Sequence, residues 1–267
     1  MAKTKVKDLM EFLESIAPFD LQESYDNSGH LVGDPNMEIQ GVLCCLDCTE
    51  AIVEEAISRG CNVVVAHHPI IFGGVRRLTG STYIERTVVK AIKNDMAIIA
   101  IHTNLDNVLT NGVNEKIASR LELEDVNILA PKASNHTDYE TGAGVIGYLR
   151  ASMNAEDFLQ YLKDKMEVSV IKYTDLVREQ VRKIAICGGS GRFLLDRAIE
   201  EESDVFVSAD FKYHDYFDAN NQIIIADIGH YESEKFTIEL LYELINENFS
   251  KFAAHYSNHN TNPVKYL

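Results

Sequence analysis

Residues 41–69 read GVLCCLDCTEAIVEEAISRGCNVVVAHHP, and this stretch decides the fold. Its two apolar runs, residues 40–47 and 62–66, are typical of buried strands. Between them, residues 50–59 are predicted to form a helix that Thr49 caps. A strand, a helix and a second strand in this order are the repeating unit of an α/β fold with parallel strands. In such sheets ligands bind beyond the carboxyl ends of the strands, so the residues that follow each strand become candidates for function.

The same rhythm continues on both sides of this stretch. Residues 20–33 read as a polar loop, and residues 126–144 read as a connection between two lobes, punctuated by Pro131, Ser134 and Asn135. The pattern predicts helices at 5–17, 83–94, 112–121, 154–166, 193–201 and 231–248, and strands at 96–101, 145–150, 168–173, 182–187, 204–208 and 222–227. We therefore expect two α/β lobes, the first formed by residues 1–126 plus 222–267 and the second by residues 127–221.

Composition excludes several classes of protein. The 267 residues are 46% hydrophobic, enough for a sizeable core, and the formal net charge is -16. An acidic chain repels the phosphate backbone, which argues against nucleic acid as a partner. The first 20 residues lack the apolar stretch of a signal peptide, and no apolar run approaches the length of a membrane span, so we expect no membrane association.

Five cysteines indicate a reducing compartment. Their odd number argues against a disulfide framework. Cys44, Cys45 and Cys48 lie close together, as in a zinc knuckle, but the first two belong to an apolar run and no second pair stands at ligand spacing. We predict buried, reduced thiols and a cytoplasmic location.

Two adjacent histidines, His67 and His68, end the second predicted strand. Neighbouring side chains on a strand point to opposite faces, so both can reach one site only where the strand breaks, and Pro69 marks that break. The alternative is a pair of unrelated histidines, one buried and one exposed.

Two further strand ends carry an imidazole and a carboxylate. His102 and Asp106 follow the strand 96–101, and His230 and Glu234 stand four residues apart at the start of the last helix. Each pair has a simpler interpretation, because Asp106 can begin a polar turn and His230 and Glu234 can be exposed helical residues.

Together the three strand ends predict a metal site. His67, His68, Asp106, His230 and Glu234 supply three imidazoles and two carboxylates, and either carboxylate can bridge two metal ions about 3.5–4 Å apart. Oxygen and imidazole ligands suit zinc, iron, manganese or cobalt. His102 can itself be a metal ligand, a group that orients a ligand or an acid–base group, and we favour the orienting role.

Two other features are weaker candidates. The run Cys187-Gly-Gly-Ser-Gly191 can offer backbone amides to an anion or can form a tight turn between a strand and a helix. His214 opens a predicted short helix and is a second acid–base candidate.

The ordered set of motifs resembles the Nif-three-like dinuclear-metal family, whose members are often named GTP cyclohydrolase 1 type 2 homologs. The motifs that carry the resemblance are residues 25–33 (YDNSGHLVG), 66–72 (AHHPIIF), 101–106 (IHTNLD), 188–191 (GGSG), 208–214 (SADFKYH) and 227–234 (DIGHYESE). The resemblance implies that His67, His68, Asp106, His230 and Glu234 are the metal ligands. It also implies two related α/β lobes with two divalent metal ions in the cleft between them, and a homohexamer built as a trimer of dimers.

Two functional hypotheses fit these residues. The first is a metal-dependent hydrolase that resembles GTP cyclohydrolase 1 type 2 homologs and acts on a nucleotide or a phosphorylated small molecule. The second is a non-catalytic metal-binding scaffold, a metal carrier or a regulatory protein, because a metal site need not perform chemistry.

Overall fold

The computed structural model describes residues 3–133 and 140–267. Within them the α-helices are α1 (Val6–Ile16), α2 (Glu50–Ser58), α3 (Tyr83–Lys93), α4 (Thr103–Asp106), α5 (Val113–Arg120), α6 (Ala155–Lys165), α7 (Leu195–Glu200), α8 (His230–Glu234) and α9 (Thr237–Asn248), and short 3-10 helices lie at Phe19–Leu21, Arg192–Leu194 and Tyr213–Ala219. The strands are β1 (Gly29–Val32), β2 (Gly41–Asp47), β3 (Val63–His68), β4 (Ala97–Ala100), β5 (Glu124–Pro131), β6 (Gly142–Asn154), β7 (Lys172–Tyr173), β8 (Gln180–Ser190), β9 (Val205–Ala209), β10 (Ile224–Asp227) and β11 (Ala253–Tyr256). Among these residues no helix is long and apolar enough to cross a membrane.

The chain divides into two compact units, and each has its own sheet. Unit 1 contains the residues up to Leu105 together with Thr237–Pro263, and unit 2 contains Asp106–Phe236 together with Val264–Leu267. The predicted α/β class is confirmed, since helices and strands alternate along the chain and the strands form two sheets.

The sheet of unit 1 has the strand order β1-β4-β3-β2-β11. Strands β2, β3, β4 and β11 run parallel, as the strand–helix–strand pattern predicts, and the Thr49 side chain accepts a hydrogen bond from the Ile52 amide at the start of α2. The central strands are apolar along most of their length because both faces of a parallel sheet are covered. Strand β1 lies within the segment 20–33 that was predicted to be a loop; its four residues pair antiparallel with β4 at the edge of the sheet, and so short a strand leaves no periodic signal.

The sheet of unit 2 has the order β5-β6-β8-β9-β10-β7 and is mixed. Strands β8, β9 and β10 are parallel, whereas β5, β6 and β7 pair antiparallel with their neighbours. The predicted connection 126–144 is therefore wrong where β5 and β6 lie, and its Ser134 and Asn135 are outside the described residues.

The predicted lobe boundaries at 126 and 222 need correction. Strand β10 pairs with β9, which brings residues 222–236 into unit 2, and unit 2 already begins at Asp106. The single helix predicted over 231–248 is two helices, α8 and α9, which belong to different units. No glycine or proline marks this interruption, so the sequence pattern does not reveal it.

All five cysteines are free and buried, as predicted. Burial raises the pKa of each thiol, for Cys48 to about 12, because a thiolate loses its hydration inside the protein.

The thiols should accordingly be inert in the folded protein. We expect Ellman's reagent to react slowly with native protein at pH 8 and to label all five thiols once the chain is unfolded in guanidinium chloride, because the thiolate is the reactive species. Rapid labelling of the native protein would contradict this burial.

Candidate metal centre

Three histidines of unit 1 meet at the carboxyl ends of β3 and β4. His67 and His68 are the last two residues of β3, and His102 follows β4 two residues after Ala100. Their rings lie 4.9–5.2 Å apart between centroids, and one possible ligand atom from each histidine lies within 4.8 Å of the others. This group can hold a metal ion.

Strand β3 extends two residues beyond the predicted range 62–66 and ends at His68, directly before the break predicted at Pro69. Its ladder with β4, however, ends at the pair formed by Ala66 and Ala100, while the ladder with β2 extends to the pair formed by Asp47 and His68. At the two histidines the backbone is therefore paired with β2 but no longer with β4. Side chains of adjacent residues on a regular strand point to opposite faces, yet these two rings lie only 4.9 Å apart between centroids.

Each of these three rings is oriented through its Nδ1 atom. His67 Nδ1 donates to the backbone oxygen of Ile101 at 2.9 Å, His68 Nδ1 to Asp47 Oδ1 at 2.8 Å, and His102 Nδ1 to Asp26 Oδ1 at 2.8 Å. A carbonyl or an ionised carboxylate can only accept, so Nδ1 of each ring carries a proton, and the neutral tautomer with this proton has its lone pair on Nε2. The lone pair of Nε2 is then available for a metal ion, the arrangement typical of metal-binding histidines.

Asp26 remains ionised in this setting. Burial of its fully covered side chain raises the pKa, but hydrogen bonds from His102 and Thr103 outweigh burial and hold the pKa well below its usual value. The second carboxyl oxygen accepts from the amide and the hydroxyl of Thr103. Asp26 is therefore a fixed anion that can stabilise a positive charge on His102.

A second group of candidate ligands lies in unit 2. His230 Nδ1 bonds to Asp210 Oδ2 at 2.7 Å, and its Nε2 lies 3.1 Å from Oε2 of Glu234, one helical turn further along α8. Burial lowers the pKa of His230, but Asp210 and Glu234 reverse this effect and raise the pKa to about 11. The two carboxylates that stabilise an imidazolium here would also attract a metal cation.

Asp106 lies at the end of α4 and belongs to the same unit. A carboxylate oxygen of Asp106 lies within 4.8 Å of one of Glu234. Burial raises the pKa of the Cys187 thiol, and these two carboxylates raise it further. The Asn114 side chain donates to the backbone oxygen of Asp106 at 3.1 Å and accepts from the amide of Gly188 at 2.9 Å. Asp106 is thereby tied to the end of β8.

The glycine run at 188–191 serves packing in the structure. The amides of Gly188 and Gly189 donate to Asn114 and Ser233, so they are engaged inside the protein. Gly189 has φ +62, and a Cβ atom there would lie 2.3 Å from Oε1 of Glu234. The absence of a side chain is what allows the Glu234 carboxylate to approach β8.

His214 is exposed on a short 3-10 helix, Tyr213–Ala219. Its ring contacts Tyr213 and Phe217. Among the described residues, the groups that can hold a metal do not include it.

The sequence patterns missed the carboxylates that orient the histidines: Asp26, Asp47 and Asp210. Asp47 ends β2 and Asp210 follows β9, so both satisfy the strand-end rule that singled out Asp106. Asp26 lies in an irregular segment 76 residues from His102, and no local pattern connects the two.

The part of the chain that carries these oriented histidines and carboxylates matches one family. The sequence profile described as Duf34/NIF3 (NGG1p interacting factor 3) matches residues 4–263. The chain belongs to this family. A Clostridium acetobutylicum protein named GTP cyclohydrolase 1 type 2 homolog is 31% identical over 86% of this chain and 85% of its own length. A Campylobacter jejuni protein with the same name is 32% identical over 89% and 90% of the two chains. The crystal structure of a Staphylococcus aureus hypothetical protein superposes with a TM-score of 0.91 at 32% identity, over 100% of both chains.

Gly189→Ala tests the close packing around Glu234. The new methyl group should displace the carboxylate and lower metal affinity by about 10-fold or more, as when a ligand loses its orientation. Isothermal titration of metal-free protein with Zn²⁺ measures the effect. Gly73→Ala is the matched control, because a Cβ at Gly73 meets nothing within 4 Å, and equal affinities in the two variants would contradict the argument.

Proposed function

We propose that His67, His68, Asp106, His230 and Glu234 together hold a pair of divalent metal ions in a hydrolase. The observation that carries the proposal is the shared orientation of the histidines: each has its Nδ1 bonded to an acceptor, which makes Nε2 the coordinating atom. Surface histidines have no need of such partners.

The donor set fits two ions better than one. Three imidazoles and two carboxylates exceed what a single four-coordinate zinc accepts, and a carboxylate with two oxygens can bridge a pair. Without thiolates, the set suits zinc, iron, manganese or cobalt. Bound metal ions would supply Lewis acidity for the activation of water and for the stabilisation of developing negative charge.

His102 and His214 are the proposed acid–base residues. The support for His102 is stronger, because its ring lies beside His67 and His68 and its Nδ1 is held by the ionised Asp26. An imidazole paired with a carboxylate can accept a proton and keep the resulting charge stabilised. For His214 the support is its place in the family motif at residues 208–214.

The proposed substrate is a nucleotide or a phosphorylated small molecule. The protein carries a formal net charge of -16, so its surface alone would repel an anion. A pair of divalent cations would reverse that charge locally and attract phosphate oxygens. The names of the Clostridium and Campylobacter relatives make GTP the first compound to examine.

We also propose that the protein is a homohexamer in a reducing cytoplasm. Light scattering tests the number of chains in the assembly, and the redox state of the thiols tests the reducing environment.

Asp106→Ala should lose metal without unfolding. Asp106 lies at the end of a four-residue helix, whereas the cores of both sheets are formed by other residues. We expect the metal content, measured by plasma mass spectrometry after dialysis, to fall by at least one ion per chain. Melting temperatures in the presence of EDTA should stay close to that of the unaltered protein.

Asp157→Ala is the control, because it removes an exposed carboxylate from α6. A full metal content in Asp106→Ala would remove Asp106 from the ligand set. Aggregation of Asp106→Ala but not of Asp157→Ala would assign the site a structural role.

Catalysis is tested separately with GTP and a panel of nucleotides. Protein loaded in turn with zinc, manganese, iron or cobalt should release product, as followed by chromatography, and His102→Gln should lower kcat about 100-fold or more if His102 moves a proton. No turnover above that of Asp106→Ala would refute the hydrolase. Retained metal would then favour the non-catalytic alternative, a metal-binding scaffold, carrier or regulatory protein.

A further inference from the structure

A buried carboxylate outside the proposed ligand set stands at the end of β10. Asp227 is 1% exposed, and its side chain accepts four hydrogen bonds or ion pairs. Oδ1 accepts from the Gly229 amide at 3.1 Å; Oδ2 accepts from the Tyr216 hydroxyl at 3.0 Å, the Lys172 ammonium at 2.7 Å and the Phe211 amide at 3.3 Å. The sequence patterns did not single out this residue.

Two of these donors stand next to a pair already described. Gly229 precedes His230, and Phe211 follows Asp210, whose carboxylate holds Nδ1 of His230. One carboxylate thus fixes the backbone on both sides of the hydrogen bond between His230 and Asp210.

We propose that Asp227 is a positioning residue for the metal centre, and that Tyr216 and Lys172 hold it in place. The inference rests on the proposed function, since it concerns how His230 is aimed at a metal ion. Asp227 does not act by direct contact with the His230 ring. It acts through the two backbone segments that carry His230 and Asp210, to which it is hydrogen-bonded at Gly229 and Phe211.

The position requires an ionised carboxylate. All four partners of Asp227 are donors, and a carboxylate is a side chain that only accepts. An asparagine would present an NH2 group to at least one of those donors. Lys172, which faces Asp227 across the ladder between β10 and β7, offsets the cost of burying the charge.

Gly229 explains why this anchoring is needed. It has φ +92, a conformation that glycine adopts freely, and a glycine ahead of a ligand leaves the backbone with alternative conformations. The hydrogen bond from its amide to Asp227 selects one of them and so sets the direction in which α8 begins.

The test uses Asp227→Asn and Tyr216→Phe in the full-length protein. We expect Zn²⁺ affinity, measured by competition with a chromophoric chelator, to fall about 10–100-fold in Asp227→Asn and by a smaller factor in Tyr216→Phe. The absorption spectrum of the Co²⁺-loaded variants should change as well, because the geometry at His230 changes. Unaltered Zn²⁺ affinity and an unaltered Co²⁺ spectrum in both variants would overturn the inference.

Tyr161→Phe is the matched control for a purely structural effect. Its hydroxyl donates to the Leu121 backbone oxygen at 2.9 Å, so the variant also loses a tyrosine hydrogen bond in unit 2. We expect Tyr161→Phe to lower the melting temperature without altering Zn²⁺ affinity. Equal losses of affinity in Tyr161→Phe and Tyr216→Phe would show a general destabilisation and overturn the inference. If Asp227→Asn does not fold, the Zn²⁺ affinity and the Co²⁺ spectrum of Tyr216→Phe alone decide whether the inference holds.

Hydrogen exchange separates this inference from the proposed function. In metal-free protein the amides of Phe211 and Gly229 should exchange faster in both variants than in the unaltered chain, whereas Tyr161→Phe should leave them unchanged. If the unaltered protein binds no divalent metal, the proposed function fails. Unchanged exchange at both amides would overturn the anchoring by Asp227 whether or not metal binds.

Discussion

The hydrogen bond at Nδ1 of each histidine is the constraint on which the candidate metal centre depends. A histidine can present either ring nitrogen, and a free ring rotates and changes tautomer. An acceptor at Nδ1 fixes the rotation of the ring and the position of the proton together, so Nε2 is preorganised as a ligand. His67 uses a backbone carbonyl, whereas His68, His102 and His230 use carboxylates.

This arrangement has an energetic cost that the surrounding structure offsets. Carboxylates brought together without a counter-charge repel each other, and burial adds a desolvation penalty. In unit 2 the imidazolium of His230 between Asp210 and Glu234 relieves part of that repulsion, which is why its pKa rises despite burial. In unit 1 the hydroxyl and the amide of Thr103 donate hydrogen bonds to the Asp26 carboxylate and so stabilise its charge. A divalent cation would supply the same compensation more strongly, so metal binding and the stability of these side chains should be coupled.

Backbone conformation determines how closely the groups in unit 2 approach one another. Gly189 allows β8 to contact Glu234 without a Cβ in the way, and Gly229 provides the positive φ from which α8 starts. Both glycines lie within the motifs that carry the family resemblance, at residues 188–191 and 227–234.

The sequence by itself determined the fold class and the strand ends where chemistry gathers. Apolar runs such as 41–46 and 63–66 predict buried parallel strands because an unbroken apolar composition is a local property, and His67, His68 and His102 follow such runs directly. Only the tertiary structure decided which groups are partners. Edge strand β1, the antiparallel half of the second sheet and the division of 231–248 into two helices depend on pairing and packing with distant residues. The same holds for Asp26 with His102 and for Asp227 with Phe211, since hydrogen bonds across 76 and 16 residues leave no periodic trace in the chain.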